Sequence, residues 1–407
     1  MRNRIIGRKR LWTILAIGLT ALLLLTACAP APTPPAEKKV VEFGDFTPLT
    51  GAVASSEQTA VRGRDDYVRY FNEEVGIPGI TVKHSWVDIG LSVSMGFSAY
   101  RRFVERGVPV LTSSYTTALE PLKPKLEEDE IPVVIGLQDE PLYYPPGWIY
   151  GAAPTYAETF TAAADYFKEN WKEERPPRLA FVIVDSIYGW APVEQGTKYA
   201  ESIGIEMLPT EFVPYVVLDA TPQLLRLSER GADFVFIQGL APTAGPLLRD
   251  AERLGLLGKI QFSGSESTAG EMLIGMAGAA AEGYLFPKVL PWIDEVEVPG
   301  IKLMVDNQMK WYGKVVRENP YVICWADAAR ICEVIERAID TVGYENLNGR
   351  AIKEELDNMK DYDTYGVVKI TYTPEDHRGS DRVAVYQIKG GKIVRVSDWR
   401  KAPMLVP

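Results

Sequence analysis

Leu179-Ala180-Phe181-Val182-Ile183-Val184 is an unbroken apolar run, and Asp185-Ser186-Ile187-Tyr188-Gly189 follows it directly. Six apolar residues without polar alternation read as a strand buried on both faces, the usual situation in a parallel sheet. The polar loop after it marks the strand's carboxyl end, where open α/β sheets present ligands. Helical and extended patterns alternate on both sides of this run. Downstream, the spacing predicts helices over 192–202, 221–230 and 243–254, and strands over 205–212, 234–238 and 260–263. Just upstream, Phe160, Ala163, Ala164, Phe167 and Trp171 share one helical face. An earlier series gives strands at 40–46, 81–87, 108–112 and 131–136. Helices fall at 58–75 and 92–106, with a proline-interrupted helical stretch at 117–128. In the helix over 58–75 the apolar face is Ala60, Tyr67, Val68, Phe71 and Val75. Two such series, each with its own sheet, predict an α/β fold of two doubly wound, open-sheet lobes.

The composition agrees. The chain has 407 residues, 46% apolar and 24% charged, which excludes a disordered or collagen-like chain. This length calls for more than one core. With 44 Lys and Arg against 54 Asp and Glu, the formal charge is −10. Nucleic-acid phosphates need clustered cations, so nucleic acid is excluded as the main partner. Two His and three Cys leave few zinc ligands. No H-E-x-x-H helix or G-x-S-x-G elbow occurs. The acid pairs Asp65-Asp66 and Glu73-Glu74 read as solvated helix faces. The expectation is no metal, no cofactor and no enzymatic activity.

The N-terminus carries an address. Arg2, Arg4, Arg8, Lys9 and Arg10 precede the apolar stretch 11–25, with no acid among them. That order is a signal peptide's, and the stretch is short of the ~20 residues a spanning helix needs. Leu25-Thr26-Ala27-Cys28 resembles the bacterial lipobox, which implies cleavage before Cys28 and a diacylglycerol on its thiol. The competing reading is an uncleaved anchor. Residues 1–27 are then a lipoprotein signal peptide. Residues 28–39, with Pro30, Pro32, Pro34 and Pro35, form an extended tether. Losing 1–27 removes five cations and no acid, taking the formal charge from −10 to −15. The location expected is extracytoplasmic, lipid-anchored to a bacterial cell membrane. The other thiols, Cys324 and Cys332, lie eight residues apart on one predicted helix. That is ~12 Å, beyond the ~7 Å a disulfide tolerates, so both are expected as buried free thiols.

Several loops carry a resemblance. Phe46-Thr47-Pro48-Leu49-Thr50-Gly51, Asp185-Ser186-Ile187-Tyr188-Gly189, the helix 247–255 beginning Leu247-Leu248-Arg249, Ala279-Ala280-Ala281-Glu282-Gly283-Tyr284, Asn319-Pro320-Tyr321 and Trp325-Ala326-Asp327-Ala328 resemble motifs of one family. It is the type I periplasmic solute-binding proteins of the branched-chain amino acid ABC transporter class. Order and spacing hold from about 40 to 394. The resemblance implies a clamshell joined by three crossovers, near 153–155, 284–288 and 362–366. Lobe 1 would be 40–154 with 287–362, and lobe 2 would be 155–286 with 363–407. The C-terminal strands 367–372, 383–388 and 393–396 would return to lobe 2, with a hairpin at Gly390-Gly391. The implied protein is a monomer that closes on a small polar ligand, an amino acid or related compound, and delivers it to an ABC permease. The alternative is a sensing ectodomain or adaptor that signals to a separate protein.

The resemblance also implies ligand contacts. Ser113 and Ser114 match positions holding the ligand's α-carboxylate; hydroxyls and amides at a helix start suit an anion, or they simply cap the helix. Leu137 and Gln138 lie in the second carboxylate loop, Gly136-Leu137-Gln138-Asp139-Glu140. The family usually has small and hydroxyl residues there. Two acids beside a carboxylate site are repulsive, which puts an ordinary α-amino acid in doubt. Tyr188 matches a cleft tyrosine. Leu240 stands where well-studied members carry a polar tyrosine, so one partner for an ammonium is missing. Glu266 matches the acid that receives the ligand ammonium, or else it is a helix-capping or solvated acid. Trp190 is a lid or a surface aromatic. Trp325 reads as core.

Overall fold

In the computed structural model, residues 39–136 and 139–405 are described. The signal peptide, Cys28, the tether up to residue 38, Leu137 and Gln138 lie outside the described residues. The chain divides into two units. In the small one the described residues are Lys39 and Pro78–Ile80, where the Lys39 amide donates to the Gly79 carbonyl at 3.0 Å. The other, Val40–Ile77 with Thr81–Pro407, holds the packing described below.

The first sheet has strands β1 (Lys39–Thr47), β2 (Ile80–Asp88), β3 (Leu111–Thr112), β4 (Val133–Val134) and β5 (Ile149–Tyr150), in the order β2-β1-β3-β4-β5. The pairs β1–β3, β3–β4 and β4–β5 are parallel. Helices α1 (Ala54–Tyr70) and α2 (Val93–Glu105) connect its strands. Tyr100 and Phe103 of α2 pack with Leu111, Val133 and Ile149 into one core. The proline-interrupted stretch is broken, as its sequence predicts, into Thr116–Leu119, a 3-10 turn Glu120–Leu122 and Lys123–Glu128.

The second sheet is built on β6 (Arg178–Val184), whose apolar run is buried from Leu179 to Val184. With β7 (Glu206–Met207), β8 (Glu211–Val213), β9 (Phe234–Gln238), β10 (Gln261–Gly264) and β11 (Leu285–Lys288) it forms a mainly parallel sheet. Strands β12 (Tyr362–Asp363) and β13 (Lys369–Ile370) make a separate antiparallel pair. Strands β14 (Arg382–Lys389), β15 (Lys392–Arg395) and β16 (Arg400–Lys401) then complete the second sheet, in the order β15-β14-β11-β10-β9-β6-β7, with β8 on β6 and β16 on β14. Gly390 and Gly391 turn the β14–β15 hairpin with φ of 57° and 71°, which glycine alone adopts without cost. Helix α3 (Tyr156–Asn170) leads into β6, and α4 (Val193–Ser202), α5 (Thr221–Glu229) and α6 (Ala241–Arg253) connect parallel strands of this sheet. Phe160 and Phe167 of α3 pack on Phe181, Phe234 and Phe236.

Helices α7 (Pro299–Tyr312), α8 (Asn319–Val342) and α9 (Gly349–Asp357) follow β11; α8 packs on α1 and β4, α9 packs on α8, and α7 meets α1 through the Tyr312–Asp66 bond. Chain passages thus run from β5 to β6, from β11 to α7, and from α9 back to β14. The crossing of α8 over α1 is close. A Cβ on Gly63 would lie 2.4 Å from the Tyr321 carbonyl oxygen and 3.1 Å from the Trp325 amide. Trp325 is core, edge-on to Tyr67 at 4.7 Å. Cys324 and Cys332 are buried free thiols.

Three expectations are corrected. The strand over 205–212 is two short strands, because Leu208-Pro209-Thr210 interrupts the ladder and proline has no amide to donate. The helix over 58–75 starts earlier, at Ala54, and ends in a π-helical turn, Phe71–Val75, that leaves Val75 exposed. The Asp65-Asp66 pair is not a solvated face. Asp66 is 2% exposed and accepts the hydroxyls of Tyr312 at 2.6 Å and Tyr321 at 2.8 Å, so this acid ties α1 to α7 and α8.

Gly63→Ala is expected to destabilise the protein by roughly 1–3 kcal/mol, the usual cost of forced overpacking. Urea denaturation measures it; an unchanged midpoint would contradict the helix contact.

Candidate functional site

The loops after β1, β3 and β4 of the first sheet and after β6, β9 and β10 of the second line one cavity, of about 100 Å³. One face of α8 closes its side. Asn319, Ile323 and Asp327 all line it, four residues apart in succession, so the contact runs ~12 Å along the helix axis. Of the residues singled out from sequence, Ser113, Ser114, Tyr188, Leu240 and Glu266 line this cavity together. Leu137 and Gln138 lie outside the described residues. Trp190 is a surface aromatic, 46% exposed, with its indole on Asp185 Oδ1 at 3.1 Å.

Hydroxyl chemistry at the site is largely committed to the fold. Ser113 Oγ donates to the Phe46 carbonyl at 2.7 Å and accepts the Tyr115 amide at 3.1 Å. It thereby shapes the loop after β3. Tyr188 donates its hydroxyl to the Gly239 carbonyl at 2.9 Å and lies 3.0 Å from Ser265 Oγ. Its ring stands edge-on to Tyr156, with centroids 5.2 Å apart. Leu240 starts α6, its amide donating to Thr243 Oγ1 at 3.2 Å, and gives the cavity an apolar wall. Ser114 Oγ accepts from Arg64 Nη2 at 3.1 Å and lies 4.0 Å from Cys324 Sγ, and its hydroxyl also acts on Glu57.

Glu266 is fully buried rather than solvated. Its Oε2 accepts the Val289 amide at 3.2 Å, while Oε1 has no hydrogen-bond partner among the described residues. Burial raises its pKa above the usual carboxylate range, and the positive charge of Lys288 offsets only part of that. Lys288 is equally buried and donates to Asn319 Oδ1. Burial pulls its ammonium down to about 8 against the opposing pull of Glu266 and Glu295. The acid expected to await a ligand amine thus has a resident cation beside it.

Sequence reasoning missed Glu57, Arg64, Tyr215 and Asp327, which also line the cavity. Arg64 is 1% exposed and donates to Asp45 Oδ2 at 2.8 Å. Asp45 is in turn 3.3 Å from His84 Nε2, and His84 Nδ1 is 2.8 Å from Asp65. Asp327 gives Oδ1 to Arg330 at 2.5 Å; its Oδ2 has no hydrogen-bond partner among the described residues and lies 3.7 Å from Arg64. Glu57 accepts the Thr47 hydroxyl at 2.6 Å, and burial raises its pKa above the usual carboxylate range. The signal was present: Arg64 sits four residues after Ala60 on the apolar stripe of α1, and a charge on such a stripe needs a partner.

The sequence pattern of the family described as Periplasmic binding protein matches residues 40–392. The chain belongs to the periplasmic binding protein family. Among curated relatives, the Leu/Ile/Val-binding protein homolog 3 of Brucella melitensis is 22% identical over 357 residues, covering 87% of this chain and 93% of that one. The Leu/Ile/Val-binding protein of Escherichia coli is 25% identical over 266 residues, 63% of this chain and 69% of that one. Among solved structures, a branched-chain amino acid ABC transporter protein from Thermus thermophilus with bound valine superposes with a TM-score of 0.84 at 26% identity, covering 90% and 98%. A fatty acid ABC transporter substrate-binding protein from Thermomonospora curvata gives 0.80 at 17%, covering 92% and 95%. The fold is that of type I periplasmic binding proteins. That family is one of solute-binding proteins, not enzymes. Among the described residues, no helix is long and apolar enough to cross a membrane.

Lys288→Met is expected to cost about 1–3 kcal/mol, because Asn319 loses its donor and buried Glu266 loses the positive charge that offsets part of its burial. Adding Glu266→Gln should recover part of that loss. Urea unfolding of the two variants checks it; equal stability of Lys288→Met and the unaltered protein would contradict the pairing.

Proposed function

We propose that this chain is a monomeric extracytoplasmic receptor, anchored through a lipid on Cys28, that closes on a small polar compound of the amino acid class or a relative and hands it to an ABC importer. Lobe 1 would be 40–154 with 287–362 and lobe 2 would be 155–286 with 363–407. The observation that carries this reading is a cavity bounded by loops of both sheets. A ligand favours closure only if it binds the closed form better, which contact with both sides achieves. In this reading Ser114 and Glu266 supply polar contacts from the two sides, and Tyr188 and Leu240 supply ring and apolar walls. Polar chemistry of the lining favours a small polar compound over a fatty acid. Glu57, Arg64, Glu266, Asn319 and Asp327 put charge or amide groups along the cavity, and a long acyl chain would leave them desolvated without partners.

A thermal-shift screen tests the ligand. A compound that binds only the folded form at 100 times its Kd adds about 2.7 kcal/mol of stability. Small polar compounds should raise the melting midpoint, and Ser114→Tyr, which fills the cavity, should abolish the rise. A rise produced only by long-chain fatty acids would contradict the reading. The anchor is tested separately: Cys28→Ala should end incorporation of labelled lipid in cells, and continued labelling would overturn it.

A further inference from the structure

Acids of the chain itself stand at both ends of the cavity, whereas an α-amino acid needs one only at its ammonium end. At the Ser114 end the added charge is an acid. Glu57 lines the cavity from the first turn of α1, held by the Thr47 hydroxyl at 2.6 Å. Asp327 lines it too, 1% exposed, with Oδ2 free of hydrogen bonds among the described residues and 3.7 Å from Arg64. At the other end Glu266 Oε1 is a second buried carboxylate oxygen without a hydrogen-bond partner.

The nearby cations are each answered by an acid. Arg64 is bonded to Asp45 at 2.8 Å, Arg330 to Asp327 at 2.5 Å, and Lys288 lies beside Glu266. Glu57, held by the Thr47 hydroxyl, shares the field of Arg64 but has no ion pair of its own among the described residues. Ser114 sharpens the asymmetry, because its oxygen already receives a proton from Arg64 at 3.1 Å. An incoming carboxylate at this loop would meet Glu57 and Asp327, and like charges this close in a desolvated site repel strongly. A cationic N–H group would meet two acceptors instead. Asp327 Oδ2 and Glu266 Oε1, both buried without a hydrogen bond among the described residues, can take donors as well.

We propose that the ligand is a small amine or amidine without a carboxylate, its charged N–H group lying at the Ser114 end between Glu57 and Asp327. Glu266 Oε1 takes a second N–H from the ligand's other end. The inference rests on the small-ligand reading above and narrows it.

Matched compounds sharing one side chain test this on the full-length protein, by thermal shift and titration calorimetry. The sets are isopentylamine, leucine and 4-methylpentanoate; phenethylamine, phenylalanine and 3-phenylpropanoate; cadaverine and lysine; benzamidine and benzoate. The amine or amidine of at least one set should bind at least tenfold more tightly than its carboxylate-bearing partners. Glu57→Gln should weaken that binding at least tenfold, and Glu57→Asp should retain part of it. Preferential binding of amino acids or acids would overturn the proposal while leaving the small-ligand reading in place, as would a Glu57→Gln variant of unchanged affinity. A midpoint moved by neither half of the series would overturn both. The comparison on the unaltered protein stands even if a Glu57 variant fails to fold.

Discussion

One buried guanidinium holds together the parts that make the cavity. Arg330 of α8 donates to the Ile135 carbonyl at 2.6 Å, the Gly151 carbonyl at 2.7 Å, the Tyr372 hydroxyl at 2.7 Å and Asp327 Oδ1 at 2.5 Å. Those partners come from the ends of two first-sheet strands, the passage that returns the chain to the second sheet, and α8 itself. A fully buried cation is costly, and here several acceptors of fixed geometry offset that cost. The same network fixes Asp327 so that its second oxygen is left on the cavity side. Fold and site chemistry therefore share one set of bonds.

Around that anchor, the hydroxyls that would make a carboxylate site are mostly consumed by the backbone. Ser113 fastens the loop after β3 to Phe46, and Tyr188 fastens the loop after β6 to Gly239. What remains to meet a ligand is chiefly carboxylate and ring. A relative of this fold is described with bound valine and another as a fatty acid transporter protein. Such a range fits a scaffold whose strands place loops without dictating what those loops carry.

Most of the architecture could be read from the sequence because it depends on local pattern. The run 179–184 is buried on both faces as its composition demands, and the phenylalanines of α3 do face β6 and β9. Errors arose where a distant partner overrides local pattern. Asp66 looked solvated because its two tyrosine partners lie about 250 residues further along the chain. Arg64 is legible in principle, because a charge on an apolar helix stripe is visible in the sequence, but its partner Asp45 is not. Lys288 could not be foreseen beside Glu266, since only the pairing of β10 with β11 brings them together. Nor does any local pattern show that the Ser113 and Tyr188 hydroxyls are spent on carbonyl groups.

The central claim is that one ligand touches loops of both sheets within this cavity. Hydrogen–deuterium exchange, resolved by peptide and compared with and without the tightest-binding compound, tests it directly. The account predicts slowed exchange appearing together in segments 113–119, 187–190, 265–269 and 319–327. Protection confined to the loops of one sheet, or arising away from these segments, would contradict it.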